Sequence, residues 1–254
     1  MNTDLKKLIT EALSDQSSLF GDELLTPLKV DIPVEKVAES APVFNFFNKE
    51  KTKLPESEFN ENWTSASSLE QLDKMINSCK KCALGEARNK FVFGVGNPKA
   101  DILVIGEGPG ADEDAKGEPF VGRAGKLLDD ILDAIDFSRK KDVYIANIVK
   151  CRPPNNRNPL PAEVKECFPY LMKQIEIIQP KMILCLGLVA ANNLLENKMS
   201  LTKMRGQFFD WNNIKVMVTY HPAALLRNPN WKRGCWEDVK LFRKYYDENV
   251  AGKV

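Results

Sequence analysis

The chain has 254 residues, of which 43% are hydrophobic and 28% are charged, and its net charge is +1. This composition is ordinary for a globular chain with one sizeable domain and a tail. The sequence has no secretory signal and no apolar run near 18 residues, which excludes a membrane-spanning protein and a secreted disulfide scaffold. A cytoplasmic location is therefore expected.

Charge and periodicity divide the chain near residue 66. Residues 1–78 contain 8 basic and 14 acidic side chains, whereas residues 79–254 contain 28 and 21. Apolar residues on one stripe predict a short helix over 2–14, but residues 15–65 show no sustained period. We therefore predict an acidic, poorly ordered extension over 1–66 and a folded domain over 67–254.

Helical and strand patterns alternate in the second part. A helix begins near Ser67 and leads into Cys79. Nearly apolar runs predict strands at 101–106, 143–149, 182–187 and 216–220, and helical patterns lie at about 123–136, 162–178, 188–197 and 236–247. Such strands, separated by helices, predict an α/β three-layer sandwich. Its central sheet would be mainly parallel, with about four strands and helices on both faces.

Four cysteines indicate a metal site. Cys79 and Cys82 form a C-x-x-C pair, while Cys151 and Cys167 stand apart. Their spacing differs from that of zinc ribbons, and thiolates from separated segments suit an iron–sulfur cluster, although structural zinc also accepts four thiolates. Cys185 lies in an apolar run and is interpreted as a core residue, and no role is assigned to Cys235.

The loops after the strands contain the other distinctive residues. Residues 106–114 read GEGPGADED and residues 117–122 read GEPFVG, but the glycine spacing fits neither a dinucleotide fingerprint nor a Walker A loop. After the next strand, Asn147 could present an acceptor and two donors to the edge of a base, or could serve as a turn residue. After the last strand comes His221, the single histidine in the sequence. Because it follows a strand and precedes a proline, it is a candidate for a catalytic role.

These segments, together with NIVKCRPP at 147–154 and HPAALLRNP at 221–229, resemble the family-4 iron–sulfur uracil-DNA glycosylases over residues 76–245. The resemblance implies that Cys79, Cys82, Cys151 and Cys167 bind a [4Fe–4S] cluster that has a structural role. It also implies a uracil pocket in which Phe120 stacks on the base, Asn147 binds its polar edge, His221 lies near O2 and Glu113 crowds C5. Main-chain groups of Gly106 and Gly108 would complete the pocket.

The implied reaction is hydrolysis of the N-glycosidic bond of a flipped deoxyuridine, which leaves an abasic site for base excision repair. Related families place an aspartate for the attacking water where this chain has Gly108. Glu107 is the nearest carboxylate in sequence. We therefore expect Glu107 and His221 to be the catalytic residues.

Residues around the last loop and near Cys151 are candidates for DNA binding. Leu225 and Leu226 could form an apolar wedge, or could pack inward at the start of a helix, and Arg227 could contact a phosphate. Arg152, Arg157 and Lys150 could add contacts to the DNA backbone. A monomer that binds single- or double-stranded uracil-containing DNA is expected.

Two other functions and one further partner remain open. The chain could be a non-catalytic iron–sulfur DNA-binding module, or a glycosylase that accepts a broader range of deaminated bases. In the extension, the segment from Gln16 to Leu19 and Phe20 resembles the Q-x-S-L-F peptide by which bacterial repair proteins bind the sliding clamp. A chance match of five residues is the alternative.

Overall fold

The structure, a computed structural model, describes residues 62–252. The helix predicted over 2–14, most of the extension and the clamp-like peptide lie outside the described residues. Trp63 and Ala66 already pack in the core, with exposed fractions of 5% and 2%. The packed part of the chain therefore includes the last few residues that were assigned to the extension.

Nine α-helices and six β-strands occur within residues 62–252. The helices are α1 (Leu69–Ile76), α2 (Leu84–Ala87), α3 (Ala111–Lys116), α4 (Arg123–Asp133), α5 (Pro161–Ile178), α6 (Leu188–Leu195), α7 (Leu201–Met204), α8 (Pro222–Arg227) and α9 (Lys232–Asn249). The strands are β1 (Val95–Gly96), β2 (Ile102–Gly106), β3 (Val143–Asn147), β4 (Met182–Leu186), β5 (Phe208–Trp211) and β6 (Ile214–Thr219). Short 3-10 turns lie at Asn62–Ser65, Pro154–Asn156 and Pro229–Trp231.

The strands form one six-stranded mixed sheet in the order β1-β3-β2-β4-β6-β5. The four predicted strands occupy its centre and pair in parallel. The edge strands β1 and β5 are antiparallel to their neighbours. The α/β class is confirmed, but the expected count of about four strands is corrected to six. The two edge strands escaped prediction because β1 has two residues and β5 is only partly buried.

Successive residues of the central strands point to opposite faces and so contribute to two cores. On one face Leu103 and Ile105 of β2 pack in a core with residues of α1, α5 and α6. On the other face Ile102 and Val104 pack with residues of α4, α8 and α9. Complete burial of β2, β3 and β4 explains their nearly continuous apolar sequences.

Local sequence explains several helix ends. Ser68 caps α1 by accepting a hydrogen bond from the Gln71 main-chain N–H at 3.1 Å. Pro161 begins α5, where its missing N–H costs nothing. Among residues 62–252, no helix is both long and apolar enough to cross a membrane.

A candidate active site and a candidate thiol metal centre

The parallel strands place three predicted residues at one edge of the sheet. Gly106 and Asn147 end β2 and β3 and pair directly across the ladder. His221 comes two residues after the end of β6. The loops that follow these strands surround a cavity of about 310 Å³. Carboxyl ends of parallel strands are the usual place for a ligand site in an open α/β sheet.

Most of the predicted site residues line this cavity. They are Glu107, Gly108, Glu113, Phe120, Asn147, His221, Arg157 and Arg227. Gly106 lies against two of these residues: a Cβ atom there would come within 2.7 Å of the Phe120 ring and would overlap the Asn147 amide oxygen. A glycine is therefore required for Phe120 and Asn147 to approach β2.

Glu113 organises the loop that presents Phe120. One oxygen of its carboxylate accepts hydrogen bonds from the main-chain N–H groups of Val121 and Gly122 at 2.9 and 3.1 Å. The other oxygen accepts from Gly110 at 3.0 Å. Glu113 thus joins the start of α3 to the segment around Phe120, a structural role that its sequence position did not reveal.

Phe120 is held in an uncommon backbone conformation, with φ at 54° and 6% of its surface exposed. Its ring lies 5.5 Å from the His221 ring between centroids. The close approach of Gly125 to the Phe120 carbonyl group fixes the same turn, since a Cβ atom at residue 125 would overlap it. The ring therefore forms a fixed apolar wall of the cavity.

Asn147 brings an unsatisfied polar atom to the cavity. Its side chain is 2% exposed, and within residues 62–252 its Oδ1 atom has no hydrogen-bond partner. Its main-chain oxygen accepts from the Lys150 ammonium group at 2.9 Å. A buried acceptor without a partner costs about 1–3 kcal/mol, so the geometry favours a ligand that donates an N–H group there.

His221 is fixed in one tautomer by the first turn of α8. Its Nδ1 atom accepts the Ala223 main-chain N–H at 3.2 Å, which requires Nδ1 to be unprotonated. Burial and, to a smaller extent, the Arg227 charge lower the pKa of His221 to about 4, although the Glu113 charge acts in the opposite direction. The imidazole is therefore neutral at pH 7, and its proton is on Nε2.

Glu107 brings a carboxylate to the same cavity. Burial raises the pKa of Glu107 above its usual range. Its main-chain oxygen accepts from the Val149 N–H at 3.1 Å, which extends the contact between the β2 and β3 segments beyond the strands. The carboxylate has no hydrogen-bond partner among the described side chains and main-chain groups. It is thus available to a water molecule or to a substrate.

The candidate DNA-binding residues have different environments. Leu225 is 1% exposed and belongs to the core of the α4, α8 and α9 face, whereas Leu226 is 43% exposed. The prediction of a wedge is therefore corrected for Leu225, which helix phase turns inward, and Leu226 alone remains a candidate. Lys150 is also fully buried, so its predicted contact with DNA is wrong.

The arginines near the cavity also differ. Arg157 lines the cavity, but its guanidinium group binds both oxygens of Glu163 at 2.6 and 2.8 Å. Arg152 donates to the Asn156 side chain at 2.8 Å from a partly exposed position. Arg227 ends α8 and lines the cavity. Arg227 is thus a candidate phosphate contact at the cavity that His221 also lines.

The four predicted cysteine ligands come together at a second, smaller cavity. Cys79 and Cys82 lie between α1 and α2, Cys151 follows β3 and Cys167 lies in α5, and all four line this cavity with Phe91, Glu166 and Tyr170. Cys185 and Cys235 are buried elsewhere in the cores, as expected for Cys185.

Donors surround the thiol cavity in a way that suits negative sulfur. Arg88 donates to the Cys151 Sγ atom at 3.1 Å, Tyr170 donates to Cys79 Sγ at 3.3 Å, and the Lys150 main-chain N–H donates to Cys167 Sγ at 3.2 Å. Sequence reasoning missed Arg88 and Tyr170, because neither lies in a recognisable motif beside the cysteines.

The chemistry of this donor set fits a group that four thiolates bind. Among the described residues, no three histidine, cysteine or carboxylate side chains are placed to hold a metal ion. The four sulfurs nevertheless share one cavity, and all-thiolate ligation is typical of iron–sulfur clusters. The lining is therefore chemically suited to a group that four thiolates bind.

Comparison with known proteins agrees with this geometry. Residues 93–241 match the model of the uracil DNA glycosylase superfamily. The chain is 46% identical over 181 residues to a type-4 uracil-DNA glycosylase of Archaeoglobus fulgidus, covering 68% of this chain and 90% of the relative. It is 46% identical over 185 residues to that of Sulfurisphaera tokodaii, covering 70% and 84%. It is 45% identical over 187 residues to the type-4 uracil-DNA glycosylase of Thermotoga maritima, covering 72% of this chain and 97% of the relative.

Proposed function

The chain belongs to the type-4 uracil-DNA glycosylases of the uracil DNA glycosylase superfamily, and we propose that it removes uracil from DNA in base excision repair. The reaction is hydrolysis of the N-glycosidic bond of a flipped deoxyuridine, and it leaves an abasic site. The observation that supports this most strongly is the Asn147 Oδ1 atom, a buried acceptor that has no hydrogen-bond partner among residues 62–252 and lies beside the Phe120 and His221 rings.

Uracil recognition uses Phe120 and Asn147. The base stacks on the Phe120 ring, which is possible only after it leaves the duplex, at a cost of a few kcal/mol. The Asn147 Oδ1 atom accepts the N3–H group of uracil, and the amide nitrogen donates to O4. Cytosine lacks the N3–H group and has a donor in place of O4, so it does not satisfy the same side chain.

His221 stabilises the leaving group. Cleavage places negative charge on uracil, chiefly at O2 and N1. Because Nδ1 accepts the Ala223 N–H, the Nε2–H group is the donor that is available to O2. A fixed donor that is aimed at developing charge stabilises the transition state more than the substrate, which raises the rate.

Glu107 positions the attacking water. Its carboxylate lines the cavity and has no partner among residues 62–252, whereas both oxygens of Glu113 bind main-chain N–H groups. Of the two carboxylates, Glu107 is the one that can accept a proton from water without breaking the loop. Glu113 instead narrows the cavity on the side where C5 of the base would lie. The C5 methyl group of thymine is therefore excluded.

Cys79, Cys82, Cys151 and Cys167 would hold a [4Fe–4S] cluster. When bound, this group would supply a structural link between the α1–α2 loop, the segment after Asn147 and α5, without a redox step in the reaction. Arg88 and Tyr170 support its binding, since their hydrogen bonds stabilise thiolate sulfur.

DNA binding uses the exposed residues around the cavity. Leu226 would fill the space that the flipped base leaves, and Arg227 and Arg152 would contact phosphates. The protein would act as a monomer on single- or double-stranded DNA. The acidic segment before Trp63 would tether the enzyme to a partner through Gln16, Leu19 and Phe20, the sliding clamp being the expected partner.

The first test is uracil release from a uracil-containing oligonucleotide by anaerobically purified protein. Asn147→Ala and His221→Ala are compared with Asn249→Ala, an exposed asparagine at the end of α9, and a thymine-containing oligonucleotide is the substrate control. We expect release to fall at least about a hundredfold for the first two variants and not for the third. Absence of release by folded, cluster-loaded protein would instead support a DNA-binding module without catalysis.

A further inference from the structure

Trp231 is an exposed aromatic side chain close to the uracil cavity. Its exposed fraction is 42%, whereas every other Phe, Tyr and Trp side chain among residues 62–252 is buried or partly buried. Its ring stacks on that of Tyr220, with 5.1 Å between centroids and 16° between planes. Tyr220 directly precedes His221, which lines the cavity. Trp231 therefore lies beside the candidate active site but outside its lining.

A chain of polar contacts fixes the ring on which Trp231 stacks. Arg205 donates to the Tyr220 hydroxyl oxygen at 3.1 Å, and its guanidinium carbon lies 4.1 Å from the centre of the Tyr220 ring. The Nε atom of Arg205 donates to Asp238 at 2.7 Å. Asp238 is 2% exposed and also accepts from the Thr219 hydroxyl group at 2.6 Å. Tyr220 is thus held in one position before any ligand arrives.

Main-chain contacts join Trp231 to α8, the helix that contains Leu226. The Trp231 N–H donates to the Asn228 carbonyl oxygen at 3.1 Å, and the Asn228 N–H donates to that of Ala224 at 2.9 Å. Leu226 and Trp231 are both exposed, at 43% and 42%. The segment after His221 therefore presents two apolar side chains to solvent, of which only Trp231 offers an aromatic face.

The surface around Trp231 carries positive charge. Residues 221–236 contain three basic residues and no acidic one. Arg227 and Arg233 are exposed, and Lys232 is partly exposed. Proteins bind unpaired DNA strands by this combination, since bases stack on aromatic rings and cations contact the phosphates between them. Charge complementarity therefore favours a DNA strand as the occupant of this surface.

We propose that the Trp231 indole is a stacking platform for a nucleobase of single-stranded DNA next to the flipped uracil. The base stacks on the indole face that Tyr220 does not cover, and Arg227 and Arg233 contact the flanking phosphates. Because Tyr220 already holds the indole, little side-chain freedom is lost on binding. The position next to uracil rests on the proposed function, whereas base stacking on Trp231 does not.

Binding of a short oligothymidylate, measured by fluorescence anisotropy, tests the platform without any uracil. The charge control is an abasic strand of the same length, which keeps the phosphates and sugars but has no bases. Trp231→Ala should weaken oligothymidylate binding about tenfold and leave binding of the abasic strand unchanged. Trp231→Phe should bind oligothymidylate within about threefold of the wild type, because a phenyl ring still stacks.

Leu241→Ala is the matched control, because Leu241 is an apolar residue of α9 that is 37% exposed. It should match the wild type with both strands. Equal weakening with both strands in Trp231→Ala would assign Trp231 to the local fold, and no weakening with either would remove it from the DNA interface. Both results would overturn the proposal, as would a loss in Trp231→Phe as large as that in Trp231→Ala.

Indole fluorescence supplies a second measurement, because stacking of a base on an indole ring quenches its emission. Saturating oligothymidylate should lower the emission of the wild-type protein. The decrease should be much smaller in Trp231→Phe, which keeps the other three tryptophans of the chain and still binds the strand. An equal decrease in both proteins would place the base elsewhere and overturn the proposal.

The two proposals fail in different ways. Oligothymidylate binding that depends on Trp231, in a protein that releases no uracil, would contradict the proposed glycosylase function and leave the stacking platform in place. Normal uracil release, with the same oligothymidylate affinity in the wild type and in Trp231→Ala, would contradict the platform alone.

Discussion

The imidazole ring of His221 lies 5.5 Å from the phenyl ring of Phe120 between centroids, and the two ring planes are inclined by 32°. The rings come from loops that are far apart in sequence, and the parallel sheet brings both loops to one edge. A planar base that stacks on Phe120 would therefore have the Nε2–H group of His221 at its edge. In the proposed reaction, this relationship would join base recognition to stabilisation of the leaving group.

Phe120→Leu should weaken uracil binding more than it weakens the fold. Stacking on an aromatic ring contributes about 1–3 kcal/mol per base, so we expect the dissociation constant for free uracil to rise about tenfold. Phe137→Leu is the matched control, because Phe137 belongs to the same core and is also buried. Both variants should lose stability in thermal unfolding. Equal uracil affinity of the two variants would contradict a stacking role.

Glu107 should determine the acid limb of the pH profile. Burial raises the pKa of Glu107 above 4.5, whereas the pKa of His221 is lowered to about 4. As pH falls, Glu107 is thus protonated before His221. We expect kcat/KM to fall as Glu107 takes up this proton. Glu107→Gln should reduce kcat/KM at all pH values and remove this limb, which a profile from pH 4 to 8 would measure.

An acid limb that persists in Glu107→Gln would assign the titration to another group. The matched control is Glu118→Gln, a change to a carboxylate in the neighbouring loop that does not line the cavity. This control should keep both the wild-type rate and the wild-type profile. Reduced activity in Glu118→Gln would indicate a general effect of charge on DNA binding.

His221 should make stability depend on pH. Its pKa falls from 6.5 to about 4 on folding, so below pH 6.5 the unfolded chain binds a proton that the folded chain does not. The free energy of unfolding should therefore decrease as pH falls from about 6.5 to 4. In His221→Gln this part of the slope should be absent. Urea unfolding at several pH values measures the difference, and parallel curves would contradict burial of a neutral imidazole.

The sequence predicted those features that depend on short patterns. Continuous apolar runs predicted the central strands. Asn147 and His221 were candidates by position, and the resemblance to a known family assigned them to the pocket; the structure places Asn147 at the end of β3 and His221 two residues after β6. The contacts of Glu113 were not predictable, because they depend on how the loop turns around Phe120. Burial of Lys150 was missed for a similar reason: a lysine shortly before an arginine and two prolines has the local pattern of a surface loop, and its burial depends on residues that are distant in sequence, such as Gln174 of α5.

The peptide around Leu19 and Phe20 should act separately from the catalytic domain. Leu19→Ala/Phe20→Ala should retain uracil release from a free oligonucleotide, because the residues proposed for uracil binding and catalysis all lie between Gly106 and Arg227 in the sequence. In a pull-down with sliding clamp, the intact protein should be retained and the variant should not. Equal retention would identify the five-residue match as chance.

Leu225 and Leu226 provide a test in which neighbouring residues of the same type have opposite roles. Leu225→Ala should cost about 2–5 kcal/mol of unfolding free energy, because the side chain is 1% exposed in the core. Leu226→Ala should change stability by less than about 0.5 kcal/mol, because the side chain is 43% exposed.

If Leu226 fills the space left by a flipped base, Leu226→Ala should slow uracil release from duplex DNA. Release from single-stranded DNA should be unchanged, since only the duplex must be held open. Equal slowing on both substrates would assign Leu226 to general binding, and no slowing on either would remove it from the DNA interface.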